Sequence, residues 1–267
     1  MANNIQEFGN ALYEHNGNIA IVTLNRPDRH NALGPALRQG LITAMDTANQ
    51  DSTVRAVILT GNGRSFCSGG DLQELLDRAK HGLPISEKLD PQRDQTLLAV
   101  YKCHKPVIAA INGAAMGAGM NLALAADIRI ASRTAIFAQS YTKRGMMPDY
   151  AGTHLLPNLV GYSKASELIF TGATVSADEA LQLQIVSQVV TPEVLLETAL
   201  SLAESIARNA PIPIRLAKKA LQQNRYGDIR EALFRETTAQ NICYESMDAQ
   251  EGFKAFQEKR APIFKGS

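Results

Sequence analysis

The stretch "KPVIAAINGAAMGAGMNLALAADIRIAS", Lys105–Ser132, decides the fold. Lys105–Gly113 is an apolar run of strand length that ends in Asn-Gly, so it reads as a buried strand followed by a turn. Gly113, Gly117 and Gly119 then lead into a helix of small residues, Gly119–Ala126. "DIRIAS" (Asp127–Ser132) is the next short strand.

The same alternation extends in both directions. "IAIVTLNRP" (Ile19–Pro27) is a strand and a turn, and Gly34–Gln50 has helical spacing. "VRAVILTGNG" (Val54–Gly63) is a strand closed by Asn-Gly, and "IVSQVV" (Ile185–Val190) is another strand. Helical stretches are expected at Gln92–Cys103, Tyr150–Val160, Ser163–Thr171 and Ala177–Leu183. Alternation of this kind indicates an α/β architecture whose strands are buried by helices. After about residue 191 only helical patterns remain, broken at Pro211 and Pro213. The expected division is a core over 1–200 and a helical C-terminal region over 201–267, suited to an oligomer interface. The polar segment His81–Gln95, with two prolines, is expected to be a mobile loop near a site.

Composition narrows the function classes. The chain has 267 residues, 45% of them hydrophobic and 20% charged, the proportions of a globular protein. Its 27 basic and 26 acidic residues nearly cancel and form no block, which argues against nucleic acid or an anionic membrane as partner. The three cysteines, Cys67, Cys103 and Cys243, match no disulfide or metal framework and fit a reduced compartment. No run approaches a membrane span, and the N-terminus has no leader pattern. The cytoplasm is the expected location.

Two glycine-rich turns carry the chemistry. In "GNGRSFCSGGDL" (Gly61–Leu72) a strand ends and Gly69-Gly70-Asp71 opens a helix. Adjacent glycines let the backbone approach a ligand and offer an N–H to an oxyanion, or they form a plain turn capped by Asp71. At Gly113–Gly119 the first amides of a helix carry partial positive charge. Their spacing fits neither a Walker loop nor a dinucleotide fingerprint, so a second oxyanion donor remains open. A third segment, "RGMMPDYAGTHLLPNLVG" (Arg144–Gly161), holds a lone carboxylate, Asp149. It is either the cap of a helix starting at Tyr150 or an acid–base group.

Taken together, "NRPDRHNAL", "FCSGGDL", "KPVIAAINGAAMGAGMNLALAADIRIAS" and "GMMPDYAGTHLLPNLVG", in this order and at these distances, resemble the enoyl-CoA hydratase/isomerase family, also called the crotonase family. The resemblance runs from about Ile19 to the final "EKRAPIFK". It implies a spiral of ββα units with a C-terminal helical region, assembled as trimers or dimers of trimers. It also implies an acyl-CoA thioester substrate, with the thioester oxygen held by the N–H groups of Gly70 and Ala118. No metal or nucleotide cofactor is implied beyond the coenzyme A of the substrate. Arg29, Asp71 and Leu72 are placed near the bound CoA, and Phe256 and Lys259 against the CoA of a neighbouring subunit. For Arg29 and Lys259 the physical case is pairing with phosphates; the alternative is a solvated surface cation.

The departures are as informative. Family hydratases carry two catalytic glutamates, and the corresponding positions here are Asn121 and Tyr141, neither a competent base near neutral pH. Asn121 then reads as a hydrogen-bonder or substrate contact, and Tyr141 as apolar lining with a polar tip. Asp149 stands where dienoyl-CoA isomerases, ring-epoxide isomerases and chlorobenzoyl-CoA dehalogenases carry a catalytic carboxylate. The dehalogenase histidine is absent from "RDQTLLAV". His30, His104 and His154 read as surface or turn residues, and Cys67 as small buried filler. The expectation is an acyl-CoA isomerase using Asp149. The alternatives are an atypical hydratase or C–C lyase, or a CoA-binding scaffold.

Overall fold

The computed structural model describes residues 5–71, 73–74, 76, 92–223, 238, 240–243 and 245–267. Its strands are β1 (Ile5–Phe8), β2 (Ala11–Asn16), β3 (Ile19–Leu24), β4 (Ala56–Gly61), β5 (Ser65–Cys67), β6 (Val107–Ile111), β7 (Ala114–Met116), β8 (Ile128–Ser132), β9 (Ile136–Ala138), β10 (Thr174–Ser176) and β11 (Gln188–Val190). They form a seven-stranded sheet in the order β1-β2-β3-β4-β6-β8-β11 and a four-stranded sheet in the order β10-β9-β7-β5. The first sheet is antiparallel from β1 to β3 and parallel from β3 to β11.

The repeating unit follows from that order. β4, β6 and β8 lie in the large sheet, and each is followed within a few residues by a short strand, β5, β7 or β9, in the small one. A helical segment then returns the chain. Successive units stack in parallel register, Val57 on Val107 and Ile108 on Ile128 in one sheet, Ala115 on Phe137 in the other. This is the expected spiral of ββα units.

Side-chain alternation explains the layering. Ile19, Ile21, Ile58, Ile108 and Ile130 point to one face of the large sheet and pack under Leu195, Ala199 and Ala203 of a helix over Leu195–Ala207. Ala20, Val22, Leu24, Val57, Leu59 and Ile111 point to the other face, against the helix Pro35–Gln50. Both faces are therefore buried, and each fully buried Leu or Ile contributes about 1.5–3 kcal/mol of transfer free energy.

The small-residue helix is the tightest contact. Ala118–Leu124 is fully buried, and a Cβ on Gly119 would collide with the Cys67 backbone of β5. Only glycine lets this helix approach β5 so closely, and that approach brings the two glycine turns together.

Some expectations are corrected. The strand expected over Ile185–Val190 is confined to Gln188–Val190, while Ile185 and Val186 reach the core from irregular chain. Gln92–Gln95, expected both as the end of a loop and as the start of a helix over Gln92–Cys103, is the first turn of the helix Gln92–Tyr101; residues 81–91 lie outside the described residues. Pro211 starts rather than only breaks a helix, Pro211–Gln223, which is held to the core by Lys218 Nζ bonding Asp127 Oδ2 at 2.7 Å. A last helix spans Met247–Glu258. Among the described residues no helix is long and apolar enough to cross a membrane.

Candidate active site

A cleft of about 470 Å³ opens between the 3-10 turn Pro27–Arg29, the segment Ser68–Asp71, the start of the small-residue helix, and the turn Ser140–Met146. The turns are pinned to one another by two asparagines. Asn31, fully buried and left-handed at φ 56°, accepts from Arg26 N–H and donates to the Asn62 and Ser65 carbonyls. Asn112 accepts from Gly61 N–H and donates to the Gly63 carbonyl. These side chains satisfy turn backbone that would otherwise be left unpaired near the core.

One wall of the cleft is backbone. The Gly69 carbonyl accepts from Leu33 N–H at 2.8 Å. Because the peptide is planar and trans, the Gly70 N–H of the same unit points the opposite way, and Gly70 lines the cleft. The Gly117 carbonyl accepts from Asn121 N–H at 3.0 Å inside the helix. By the same geometry the Ala118 N–H projects from the helix N-terminus, where first-turn amides have no partner within the helix. The two turns touch. A Cβ on Gly69, whose φ is 96°, would lie 2.7 Å from the Met116 carbonyl and 3.4 Å from Ala118 N. The N–H groups of Gly70 and Ala118 therefore belong to two turns in contact, and main-chain N–H groups so placed can stabilise an oxyanion.

The facing wall is side chains. Tyr141 Oη donates to Asp149 Oδ1 at 2.5 Å. Asn121 Nδ2 donates to the Asp149 main-chain oxygen at 2.8 Å and to Tyr141 Oη at 3.2 Å. Gln139 Nε2 donates to Asn121 Oδ1 at 2.6 Å. Burial, followed by the charge and hydrogen bond of Asp149, pushes the Tyr141 hydroxyl well above its ordinary pKa. Asn121 is fully buried against Gly152, where any Cβ would strike its amide.

The cap expectation for Asp149 fails on this geometry. Tyr150 and Ala151 are left-handed, at φ 48° and 53°, so the helix starts at Gly152 and not at Tyr150. The Asp149 carbonyl is held by Asn121 and the Gly152 N–H, and its carboxylate by Tyr141. Tyr141 is likewise more than lining, since its polar tip is what meets the carboxylate.

The remaining expected residues divide. Gly70, Ala118, Tyr141, Arg29 and Asp71 line the cleft; Asn121 and Asp149 stand behind Tyr141. Burial alone would raise the Asp71 pKa, but its hydrogen bond to Arg26 Nη1, at 2.6 Å, and those from the Gln73 and Glu74 N–H groups hold it below the ordinary range. Asp71 therefore ties the turn together as well as lining the cleft. Leu72 and the Phe256 side chain lie outside the described residues. Lys259 is exposed at the end of the last helix and is not part of the cleft lining of this chain.

Sequence reading missed three residues. His30, taken as a turn residue, lines the cleft and shares a hydrogen bond with Ser65 Oγ through Nδ1. Arg144 also lines it, with Nη1 donating to Ser140 Oγ. Gln139 holds Asn121; its only sequence signal is a polar residue directly after the apolar run Ile136–Ala138. Among the described residues no group of three His, Cys, Asp or Glu side chains could hold a metal ion.

A family model described as enoyl-CoA hydratase/isomerase matches residues 14–267. The chain belongs to the enoyl-CoA hydratase/isomerase family. It is 39% identical over 255 residues to a probable enoyl-CoA hydratase of Rhodobacter capsulatus, covering 95% of this chain and 97% of that one. It is 35% identical over 249 residues to the 1,2-epoxyphenylacetyl-CoA isomerase of Escherichia coli, covering 93% and 95%. The crystal structure of an enoyl-CoA hydratase from Bacillus anthracis superposes with a TM-score of 0.90 at 37% identity, covering 97% of this chain and all of that one. This chain is thus a family enzyme with a crotonase-like fold, and its relatives mostly carry hydratase names, the epoxide isomerase being an exception.

Proposed function

We propose that this protein is an acyl-CoA isomerase that shifts a double bond, or rearranges a ring epoxide, in an unsaturated acyl-CoA. In this reading the thioester oxygen sits between the Gly70 and Ala118 N–H groups, and the Tyr141–Asp149 pair moves the proton. One observation carries it: across the cleft from the two glycine turns is a carboxylate-linked hydroxyl, Tyr141 on Asp149, with Asn121 beside it, and Tyr141 and Asn121 stand at positions where the resemblance implies glutamates in hydratases. Moving a proton from one carbon to another needs one acid–base unit that works twice. Adding water needs a group to activate the water and a group to protonate carbon. Negative charge builds on the thioester oxygen during proton removal, and each preorganised amide there contributes about 3 kcal/mol. The chemistry calls for no cofactor beyond the substrate's own coenzyme A.

Arg29 and Asp71 border the CoA in this reading. Phe256 and Lys259 serve the cleft of a neighbouring subunit in a trimer or dimer of trimers, built on the helical region 201–267. A cytoplasmic setting accords with three unpaired, buried cysteines. Sedimentation as a fully active monomer across micromolar concentrations would remove the assembly part.

The deciding experiment is a screen of enoyl-, dienoyl- and ring-epoxide CoA thioesters with mass and NMR readout. A product of unchanged mass with a shifted double bond or opened ring is expected. A product heavier by one water would favour the second reading, an atypical hydratase, which the hydratase names of close relatives support.

A further inference from the structure

We propose that Tyr141 is the catalytic residue that exchanges a proton with the substrate, and that Asp149 acts only through it. The inference rests on the isomerase reading of the same site, and it reassigns the residue in contact with the reacting carbon.

Position comes first. Tyr141 lines the cleft, and its hydroxyl end lies beside Gly117, with Oη 3.8 Å from where a Gly117 Cβ would be. Gly117 directly precedes Ala118, the first residue of the helix. Asp149 is half-buried and is not among the cleft-lining residues; its Oδ1 lies 2.5 Å from the hydroxyl. Of the two, Tyr141 is the residue that a substrate in the cleft has in its wall.

Orientation comes second. A main-chain carbonyl can only accept, so the Asn121 atom 2.8 Å from the Asp149 oxygen must be the amide nitrogen. The same nitrogen faces Tyr141 Oη at 3.2 Å, so the phenol oxygen accepts there. Asn121 Oδ1 is in turn held by Gln139 Nε2. The hydroxyl's own proton is therefore directed to Asp149 Oδ1. A hydroxyl has one proton and two lone pairs. The proton is committed to Asp149 and one lone pair to Asn121, so the remaining lone pair is what the phenol offers the cleft. The group facing the substrate is a proton acceptor with a carboxylate behind it.

The step balances without a free tyrosinate, which the raised Tyr141 pKa would disfavour. The C–H bond next to the thioester, or at a conjugated position, breaks. Its electron pair enters the enolate, whose oxygen lies at Gly70 and Ala118. The proton bonds to Tyr141 Oη while the original phenol proton moves to Asp149 Oδ1. Tyrosine is neutral before and after, and the carboxylate becomes a carboxylic acid. The reverse transfer to a different carbon completes the isomerisation and restores both groups.

The test compares Tyr141→Phe, Asp149→Asn and the double variant. Tyr141→Phe keeps the ring against Gly117 and removes only Oη. The proposal expects kcat to fall by about 10²–10⁴-fold in each single variant, KM to change little, and the double variant to lose no more than either single. If Asp149 takes the proton directly, Tyr141→Phe keeps turnover within severalfold or raises it, which overturns the proposal and leaves the isomerase reading standing. Should the Phe variant fail to fold, a fluorinated tyrosine placed at position 141 keeps shape and hydroxyl while changing acidity. The proposal expects its kcat to shift, and an unchanged kcat overturns it. Deuterium wash-in beside the thioester of a saturated acyl-CoA gives the same comparison if the wild type proves to hydrate instead. A wild type that neither isomerises nor exchanges removes both ideas.

Discussion

The two walls of the cleft are built from different materials. One is main chain, Gly69-Gly70 against Gly117-Ala118, and its donors are aimed by peptide planarity and by hydrogen bonds to Leu33 and Asn121 backbone groups. The other is Tyr141 backed by a side-chain network in which Asn121 comes from the buried helix, and Gln139, Tyr141 and Asp149 from the irregular chain after β9. The backbone wall needs only glycine and a small residue at fixed spacings, so it tolerates change elsewhere in the chain. The side-chain wall changes meaning with each residue. Such a division lets one fold carry different reactions, and the relatives bear both hydratase and isomerase names.

The largest effect should come from the backbone wall. Ala118 is the first residue of its helix, a position where proline is well tolerated, so Ala118→Pro should fold. The substitution removes the N–H and puts a methylene where the thioester oxygen must lie. Loss of one such donor costs about 10²–10³-fold, and the blocking ring should take turnover below detection. A folded Ala118→Pro enzyme with wild-type kcat would end the oxyanion assignment.

Asp149→Asn tests the other wall. Asparagine can still accept from Tyr141 through Oδ1, so the melting temperature should stay within a degree or two while kcat drops by about 10²–10⁴-fold. Unchanged kcat would make Asp149 a structural tie and bring the hydratase and scaffold readings forward. Asn121→Ala should instead cost stability as well as activity. It strips a buried donor from the Asp149 carbonyl and from Tyr141 and leaves the Gln139 amide facing a void. A loss of about 1–3 kcal/mol corresponds to a melting point lower by several degrees. Thermal unfolding checks this directly, and no change in melting point would mean the network relaxes around the gap.

How much of this was legible follows the same division. β3, β4, β6 and β8 are apolar runs, and both glycine turns could be read because glycine's use at positive φ, 96° at Gly69 and 53° at Gly117, is written in the residue itself. β5, β7, β9 and β10 were not. Each is a three-residue strand, too short to show a period, and exists because the neighbouring unit pairs with it. The hairpin β1–β2 was missed although Ala11 and Tyr13 alternate with half-exposed neighbours. Asp149 before an apparent helix looks like a cap in one dimension. Its real partner lies eight residues earlier, across the turn at Gly145, and the left-handed residues that follow it, Tyr150 and Ala151, carry no glycine to announce that the helix starts only at Gly152.

A smaller effect concerns the Arg26–Asp71 pair at the cleft edge. Asp71 has its folded pKa below the ordinary carboxyl value of about 3.9, so its contribution is fully present above that value and lost as pH falls through the lowered one. Asp71→Asn should lower the melting temperature by a few degrees at pH 7. The gap between variant and wild type should close as the pH is taken well below about 4. A gap that persists under acid would mean the stability comes from something other than the charge.

The smallest effect belongs to Cys67, which lies in β5 under the backbone wall and does not line the cleft. Its side chain is fully buried, and burial raises its pKa to about 12 against a smaller opposing hydrogen bond from Gly69 N–H. At pH 8 only about one thiol in ten thousand is then ionised, and thiolate is the reactive form. Native protein should leave Cys67 unmodified by iodoacetamide over hours, as followed by peptide mass mapping, with full labelling after unfolding. Cys67→Ala should change kcat by less than about twofold, since it removes filler and no donor. Rapid labelling of the native enzyme would show that β5 and the glycine turn open far enough to admit a reagent. The Gly70 and Ala118 amides could not then be a preorganised pair, and the contrast between a fixed backbone wall and an adjustable side-chain wall would fail at its firmer end.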